Sequence, residues 1–241
     1  MLAIILAGGK GTRMLSDFPK CMVPLCGKPM ILYLINTLKE INVDKIYIVV
    51  SYKKEIIKKT IQEDVIFIEQ TNPLGTADAV KSCKNVLTNI NDDILILAAD
   101  MPLIKKEVLL ELMNKHLNSQ NDLTILSTYM DEPIGLGRII RKNGKIMKIV
   151  EEKELNNNED IKEVNTSIYC IKSNVLIDNI DRINNNNRSQ EYYFTDIVEI
   201  LSKEYQIDVY NTEYTYHLQG INDIETLQKL ESMMEIYERN N

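Results

Sequence analysis

Three observations predict an α/β fold wound on both faces of a largely parallel sheet. Short apolar runs alternate with segments of helical period through the first half of the 241-residue chain. Most of those runs, LAIIL, KIYIVVS and DILIL among them, are continuously apolar, the mark of strands covered on both faces. Turn residues and chemistry-bearing side chains cluster at the carboxyl ends of the runs, where such sheets hold ligands.

The elements follow in order. Leu2–Leu6 reads as the first strand and runs into a loop with Gly8, Gly9 and Gly11, then Arg13 and, seven residues on, Lys20. Residues 28–41 place Met30, Ile31, Leu34, Ile35, Leu38 and Ile41 at helical spacing, with Pro29 suited to the first turn. A buried strand is predicted over 45–51, a charged helix over 53–62 and a third strand over 65–69. Residues 70–76, QTNPLGT, form a turn that opens a helix over 77–87. A fourth strand over 93–97 ends in Ala98, Ala99 and Asp100, and a helix follows over 106–117.

The second half changes character. A strand is predicted over 123–130, and 135–141 and 145–151 read as a hairpin turning at Asn143-Gly144. An acidic, Asn-rich loop over 152–163 precedes a strand over 164–171. Helices over 174–183 and 191–204, a short strand over 207–210 and a last helix over 223–239 complete the chain. Ile224, Leu227, Leu230, Met234 and Tyr237 share one face of that last helix, which either packs on the domain or pairs with another copy. No linker or repeat divides the sequence, so it reads as one domain with a mixed second lobe.

Composition narrows the partners. With 44% hydrophobic residues the chain can bury a sizeable core, and a net charge of −7 argues against nucleic acid or an anionic membrane as partner. Cys21, Cys26, Cys83 and Cys170 include no C-x-x-C pair, and with only two histidines no zinc spacing appears, so four reduced thiols in a cytoplasmic protein are expected. No apolar stretch reaches the length of a membrane span, and the N-terminus lacks the basic start and cleavage site of a signal peptide.

The glycine loop carries the chemistry. Glycines let backbone N–H groups approach a phosphate closely, and Arg13 and Lys20 add two cations in a chain that is acidic overall. Two familiar phosphate loops fail on spacing. The dinucleotide fingerprint counted from Gly9 puts Met14 at its third small position, and the second strand is followed by Tyr52, Lys53 and Lys54 where an acidic residue is needed. The three Gly-Lys pairs are followed by Gly, Pro and Ile, never the Ser or Thr of a P-loop. An ordinary glycine turn with two solvated cations is the competing reading.

The run L-A-G-G-x-G-T-R-M, then P-K, then G-K-P, resembles the signature of the sugar-phosphate nucleotidyltransferases, the pyrophosphorylases. Across nearly the whole chain, LAGGKGTRM, PLGTADA, DMPLI, GLGRIIRKNGKIMKIVEEKE, EVNTSIY, QEYYFTDI and QGINDIETL are similar, in order, to the uridylyltransferase domain of bifunctional N-acetylglucosamine-1-phosphate uridyltransferases.

The resemblance implies a Rossmann-like fold of the nucleotide-diphospho-sugar transferase type, with a nucleotidyltransferase domain over 1–222 and a C-terminal helix over 223–241. It implies UTP and a sugar 1-phosphate as substrates, Mg2+ as cofactor, and UDP-N-acetylglucosamine and pyrophosphate as products. Leu6, Ala7, Gly8, Gly9, Gly11 and Thr12 would wrap the triphosphate, with Arg13 and Lys20 as its cationic partners. Gln70, Gly75 and Thr76 would read the base, and an amide suits a pyrimidine edge. Asp100 and Asn222 would hold Mg2+, which takes oxygen ligands and leans on substrate phosphates. Gly137, Glu151, Asn165 and Thr195 would contact the sugar phosphate. Asn222 has a competing role as cap of the last helix, and Thr195 as an ordinary helix residue.

Three positions depart from the family pattern: Gly8 stands for an alanine, Ala99 for a glycine and Pro73 for a residue that is commonly polar. The last two line the nucleotide and sugar pockets and leave the exact substrate open. The alternatives are transfer of another nucleotide, such as CTP to an alditol or choline phosphate, and a non-catalytic nucleotide-sugar sensor, against which the intact Asp100 and Lys20 speak. No hexapeptide repeat of the family's acetyltransferase β-helix follows the last helix, so uridylyl transfer without acetyl transfer, by a monomer or weak homodimer, is expected.

Overall fold

A computed structural model describes residues 1–155, 160–218 and 220–239. The strands are β1 (Leu2–Leu6), β2 (Pro24–Leu25), β3 (Lys28–Pro29), β4 (Lys45–Val50), β5 (Ile66–Glu69), β6 (Asp93–Ala98), β7 (Leu123–Tyr129), β8 (Arg138–Lys142), β9 (Lys145–Val150), β10 (Glu163–Lys172) and β11 (Ile207–Asn211). The α-helices are α1 (Met30–Glu40), α2 (Lys54–Thr60), α3 (Thr76–Lys81), α4 (Lys84–Leu87), α5 (Lys106–Asn118), α6 (Ser173–Asn179), α7 (Asp196–Leu201) and α8 (Ile224–Arg239).

The described strands build a nine-stranded sheet in the order β11-β7-β10-β6-β1-β4-β5, with β8 joined to β10 and β9 to β8. β6, β1, β4 and β5 run parallel, as do β7 and β11. β10 runs against both β6 and β7, so the sheet is mainly parallel with an antiparallel strand at its centre. Alternate residues of β1 serve opposite faces. Leu2 and Ile4 join a core with Val80, Ile96, Phe194 and Val198, while Ala3 and Ile5 join a second core with Leu34, Ile48, Leu97 and Leu112. Burying each such aliphatic side chain is worth about 1.5–3 kcal/mol, which fixes the register because a one-residue slip would exchange the faces.

A third, smaller cluster joins Met14, Val23, Leu25, Met30 and Ile221 to Leu230 of α8, with Leu227 and Met234 partly buried against it. The apolar face of the last helix thus packs on its own chain. Among the described residues no helix is long and apolar enough to cross a membrane.

Several predicted elements are shorter than their sequence patterns, each for a local reason. Residues 28 and 29 pair with 25 and 24 across a turn at Cys26 (φ 47°) and Gly27 (φ 76°), so the helix starts only at Met30. The helix expected over 77–87 breaks between α3 and α4, where the Ser82 hydroxyl donates back to Asp78 O at 3.0 Å. The helix expected over 191–204 is reduced to α7, because backbone groups at its start bond to the 74–77 turn instead: Tyr192 N donates to Leu74 O and Ala77 N to Tyr192 O, both at 2.8 Å. Part of the acidic loop, residues 156–159, lies outside the described residues.

Candidate active site

The loops after β1, β4, β5 and β6 leave the sheet at one edge, since Leu6 is in register with both Val49 and Ala98. Because β10 is antiparallel and pairs Ile168 with Leu97, its starting residues reach the same edge. A cleft of about 830 Å3 opens there. Leu6, Ala7, Gly8, Gly9, Arg13, Lys20, Gln70, Gly75, Thr76, Asp100, Glu151 and Thr195 all line it. Gly11, Gly137, Asn165 and Asn222 are not on that wall but contact residues that are, and Thr12 is exposed beside the glycine loop and does not line the cleft.

At the glycine-loop end, Gly11 has φ 67°, and a Cβ there would come within 2.8 Å of Lys20 Cβ. Only glycine lets the loop fold back on Lys20, whose N–H donates to Gly9 O at 3.4 Å. The Lys20 ammonium pairs with Asp100 Oδ2 and donates to Asn222 Oδ1 at 2.7 Å. Asp100 is anchored through its own carbonyl, which accepts Ile221 N at 2.8 Å. Cap duty for α8 falls to Asp223, which accepts Thr226 N at 2.9 Å; that bond, first among its causes, holds the Asp223 carboxyl below its ordinary range. Asn222 thereby turns its Oδ1 to Lys20 while its Nδ2 donates to Gly220 O at 3.3 Å. Arg13 is exposed on the cleft wall and forms no ion pair among the described residues.

The middle of the cleft is framed by Gln70 and the 74–77 turn. Gln70 is 6% exposed; its N–H donates to Val50 O at 2.9 Å. Gly75 has φ 132°, and a Cβ on it would meet Tyr192 N at 2.7 Å and Tyr192 C at 2.9 Å. Gly75→Ala therefore lowers stability by about 2 kcal/mol or more, because backbone rather than a flexible side chain must yield and the conformation itself is strained. A urea midpoint equal to wild type would contradict this.

The far end is built from the β8–β9 hairpin, β10 and the start of α7. Thr195 donates its hydroxyl to Glu151 Oε1 at 2.7 Å. Burial pushes the Glu151 carboxyl above its ordinary range, against the pull of that hydrogen bond. A Cβ on Gly137 would lie 2.9 Å from Ile149 Cγ2 and 3.6 Å from Glu151 Oε2, so it would press on Ile149 and only touch the carboxylate. Asn165 is 2% exposed and donates to the Tyr169 hydroxyl at 2.7 Å. It holds Tyr169, which packs edge-on to Phe194 at 5.0 Å and lines the cleft.

Sequence reasoning missed Ser167, Tyr169, Tyr193 and Phe194 on this wall. Ser167 sits at φ 58° in an irregular stretch of β10 between Asn165 and Tyr169. A serine in a strand carries no mark of that bulge. Tyr193 and Phe194 reach the wall only because the helix predicted over them does not form.

Next to Thr195, burial and then the charge of Glu151 raise the Asp196 carboxyl to about 6. An acid whose folded pKa lies above its unfolded value of 3.8 binds more protons folded than unfolded between those values, so stability falls as pH rises through that window. Asp196→Asn removes this loss. Its urea midpoint exceeds wild type at pH 7.5, and the gain vanishes at pH 3.5; an equal gain at both would refute the assignment.

The arrangement offers two cations and flexible glycine backbone at one end, a buried amide in the middle, and hydroxyl and carboxylate groups at the other. It can hold a ligand with an anionic group at the cationic end, a hydrogen-bonding ring beside the amide and hydroxyl groups at the far end.

Comparison with known proteins places the family and the fold. Over 237 residues the chain is 37% identical to the bifunctional protein GlmU of Acholeplasma laidlawii, covering 98% of this chain and 52% of that protein. Against the bifunctional protein GlmU of Clostridioides difficile it is 39% identical over 235 residues, 96% of this chain and 51% of that one. The chain spans about half the length of the curated relatives it matches. The solved structure of apo UDP-glucose pyrophosphorylase matches its fold with a TM-score of 0.79 at 17% identity, over 100% of this chain and 99% of that one. Residues 3–148 match the MobA-like NTP transferase domain, and the chain belongs to that family.

Proposed function

We propose that the chain transfers a uridylyl group from UTP to N-acetylglucosamine 1-phosphate, forming UDP-N-acetylglucosamine and pyrophosphate. The observation that carries this reading is the single cleft holding Arg13, Lys20 and Asp100 at one end and the Glu151–Thr195 pair at the other, with Gln70 between them. A phosphate oxygen of the sugar phosphate attacks the α-phosphorus in line, and the bond from that phosphorus to the oxygen bridging the α- and β-phosphates breaks. No protein nucleophile is required, because positioning and charge neutralisation dominate phosphoryl chemistry. Arg13 and Lys20 take up the negative charge that develops on the leaving pyrophosphate. Thr195 and Glu151 orient the sugar through its hydroxyl and acetamido groups.

Mg2+ fits the residues present. The Asp100 and Asn222 oxygens both reach one ammonium, so they converge on a single cation-sized locus. One carboxylate and one amide match an ion that keeps several waters and leans on substrate phosphates. Asp100 and Asn222 would hold it, and it would supply charge neutralisation for the phosphates.

A coupled pyrophosphate assay with the four NTPs against a panel of sugar and alditol phosphates tests the reading. UTP with N-acetylglucosamine 1-phosphate gives the highest kcat/KM. Pyrophosphate release with no pair, or equal use of GTP, would overturn it; preference for CTP and an alditol phosphate would move the chain to the neighbouring chemistry.

A further inference from the structure

Gln70 carries one amide group with two possible presentations to a base, donor or acceptor, and the surroundings of its Nε2 decide between them. Nε2 donates to Asp78 Oδ2 at 2.8 Å and to Gly75 O at 3.2 Å, which uses both of its hydrogens. A carbonyl and a carboxylate accept only, so turning the amide over would set Gln70 Oε1 against two acceptors. Oε1 is thereby held toward the glycine loop. A Cβ on Gly8 would come within 2.9 Å of it, so the glycine that departs from the family's alanine is what leaves it room. Asp78 itself is absent from the cleft wall and lines a separate cavity of about 120 Å3 behind the turn, with Leu74, Lys81 and Tyr192.

We propose that Asp78 is a positioning residue for base choice: through Gln70 it turns an acceptor toward the nucleobase. The site then takes a pyrimidine that offers a ring N–H at that point, as uracil does, and refuses one that offers a lone pair there, as cytosine does. The proposal deepens the reading above and rests on it.

Titration calorimetry of UTP and CTP with the whole chain and its Asp78→Ala and Asp78→Leu variants, neither of which leaves an acceptor for Gln70 Nε2, tests it without turnover. Wild type binds UTP more tightly than CTP. Both variants reduce the ratio of UTP to CTP affinity by about tenfold, the scale of one hydrogen bond to a charged group. Asp78 is half-buried, and the near-isosteric Asp78→Leu protein carries the test where the alanine variant does not fold. An unchanged ratio in a folded variant, with affinities for both nucleotides falling together, shows a structural role and overturns the clamp while leaving the uridylyl reading standing. A wild-type protein that binds the two nucleotides equally overturns the clamp, and one that binds neither overturns the functional reading as well.

Discussion

Arg13→Ala lowers turnover by about 10²–10³-fold, the cost of removing one preorganised donor from a developing oxyanion. The chain carries a net charge of −7, yet this guanidinium sits on the wall of the cleft and forms no ion pair among the described residues. Its nearest counter-charge, the Asp223 carboxylate, acts on it only through space without a direct ion pair, so the guanidinium remains available to a ligand. In the proposed reaction, pyrophosphate departure concentrates negative charge opposite it, so its contribution is greater in the transition state than in the bound substrate. The loss therefore falls mainly on kcat rather than on KM. Pyrophosphate release under saturating substrates measures the effect, and the urea midpoint, unchanged for an exposed side chain, shows that the fold is intact. A folded Arg13→Ala protein with turnover near wild type would remove Arg13 from the machinery.

The fold was legible in the sequence where burial on both faces writes itself as an apolar run. β1, β4 and β6 appear within a residue of their sequence patterns for that reason. Residues whose chemistry attaches to a strand end, such as Gln70 and Asp100, were legible with them, because strand order alone brings those ends to one edge. What could not be read was decided by pairings between distant segments. The helix expected through Tyr192, Tyr193 and Phe194 yields to hydrogen bonds with Leu74, Thr76 and Ala77, more than a hundred residues away. The same pairings lay Tyr193 and Phe194 along the cleft. Asn222 shows the limit from the other side. A polar residue ahead of a helix reads as its cap, and only the structure shows Asp223 in that place and the Asn222 amide turned to Lys20.

Asp100→Ala abolishes measurable turnover and, with it, the extra thermal stability that UTP and Mg2+ together give the wild-type chain. The residue ends a strand whose last positions are held on both sides: Ala99 N donates to Leu6 O at 3.1 Å, and Asp100 O accepts Ile221 N at 2.8 Å. Those contacts are made by backbone, so truncating the side chain leaves the strand end in place. What goes is the carboxylate on the cleft wall that pairs with Lys20. Lys20 keeps Asn222 as a partner, but on the proposed reading the Asn222 amide alone is then left to hold a divalent ion. Asn222→Ala gives a graded contrast. Because Asp223 caps α8, its melting temperature stays near wild type, while the Mg2+ concentration for half-maximal rate rises. A Mg2+ titration of rate, paired with thermal melts with and without UTP, checks both variants. Full activity of Asp100→Ala at ordinary Mg2+, or an Asn222→Ala protein that only loses stability, would remove these residues from the metal site.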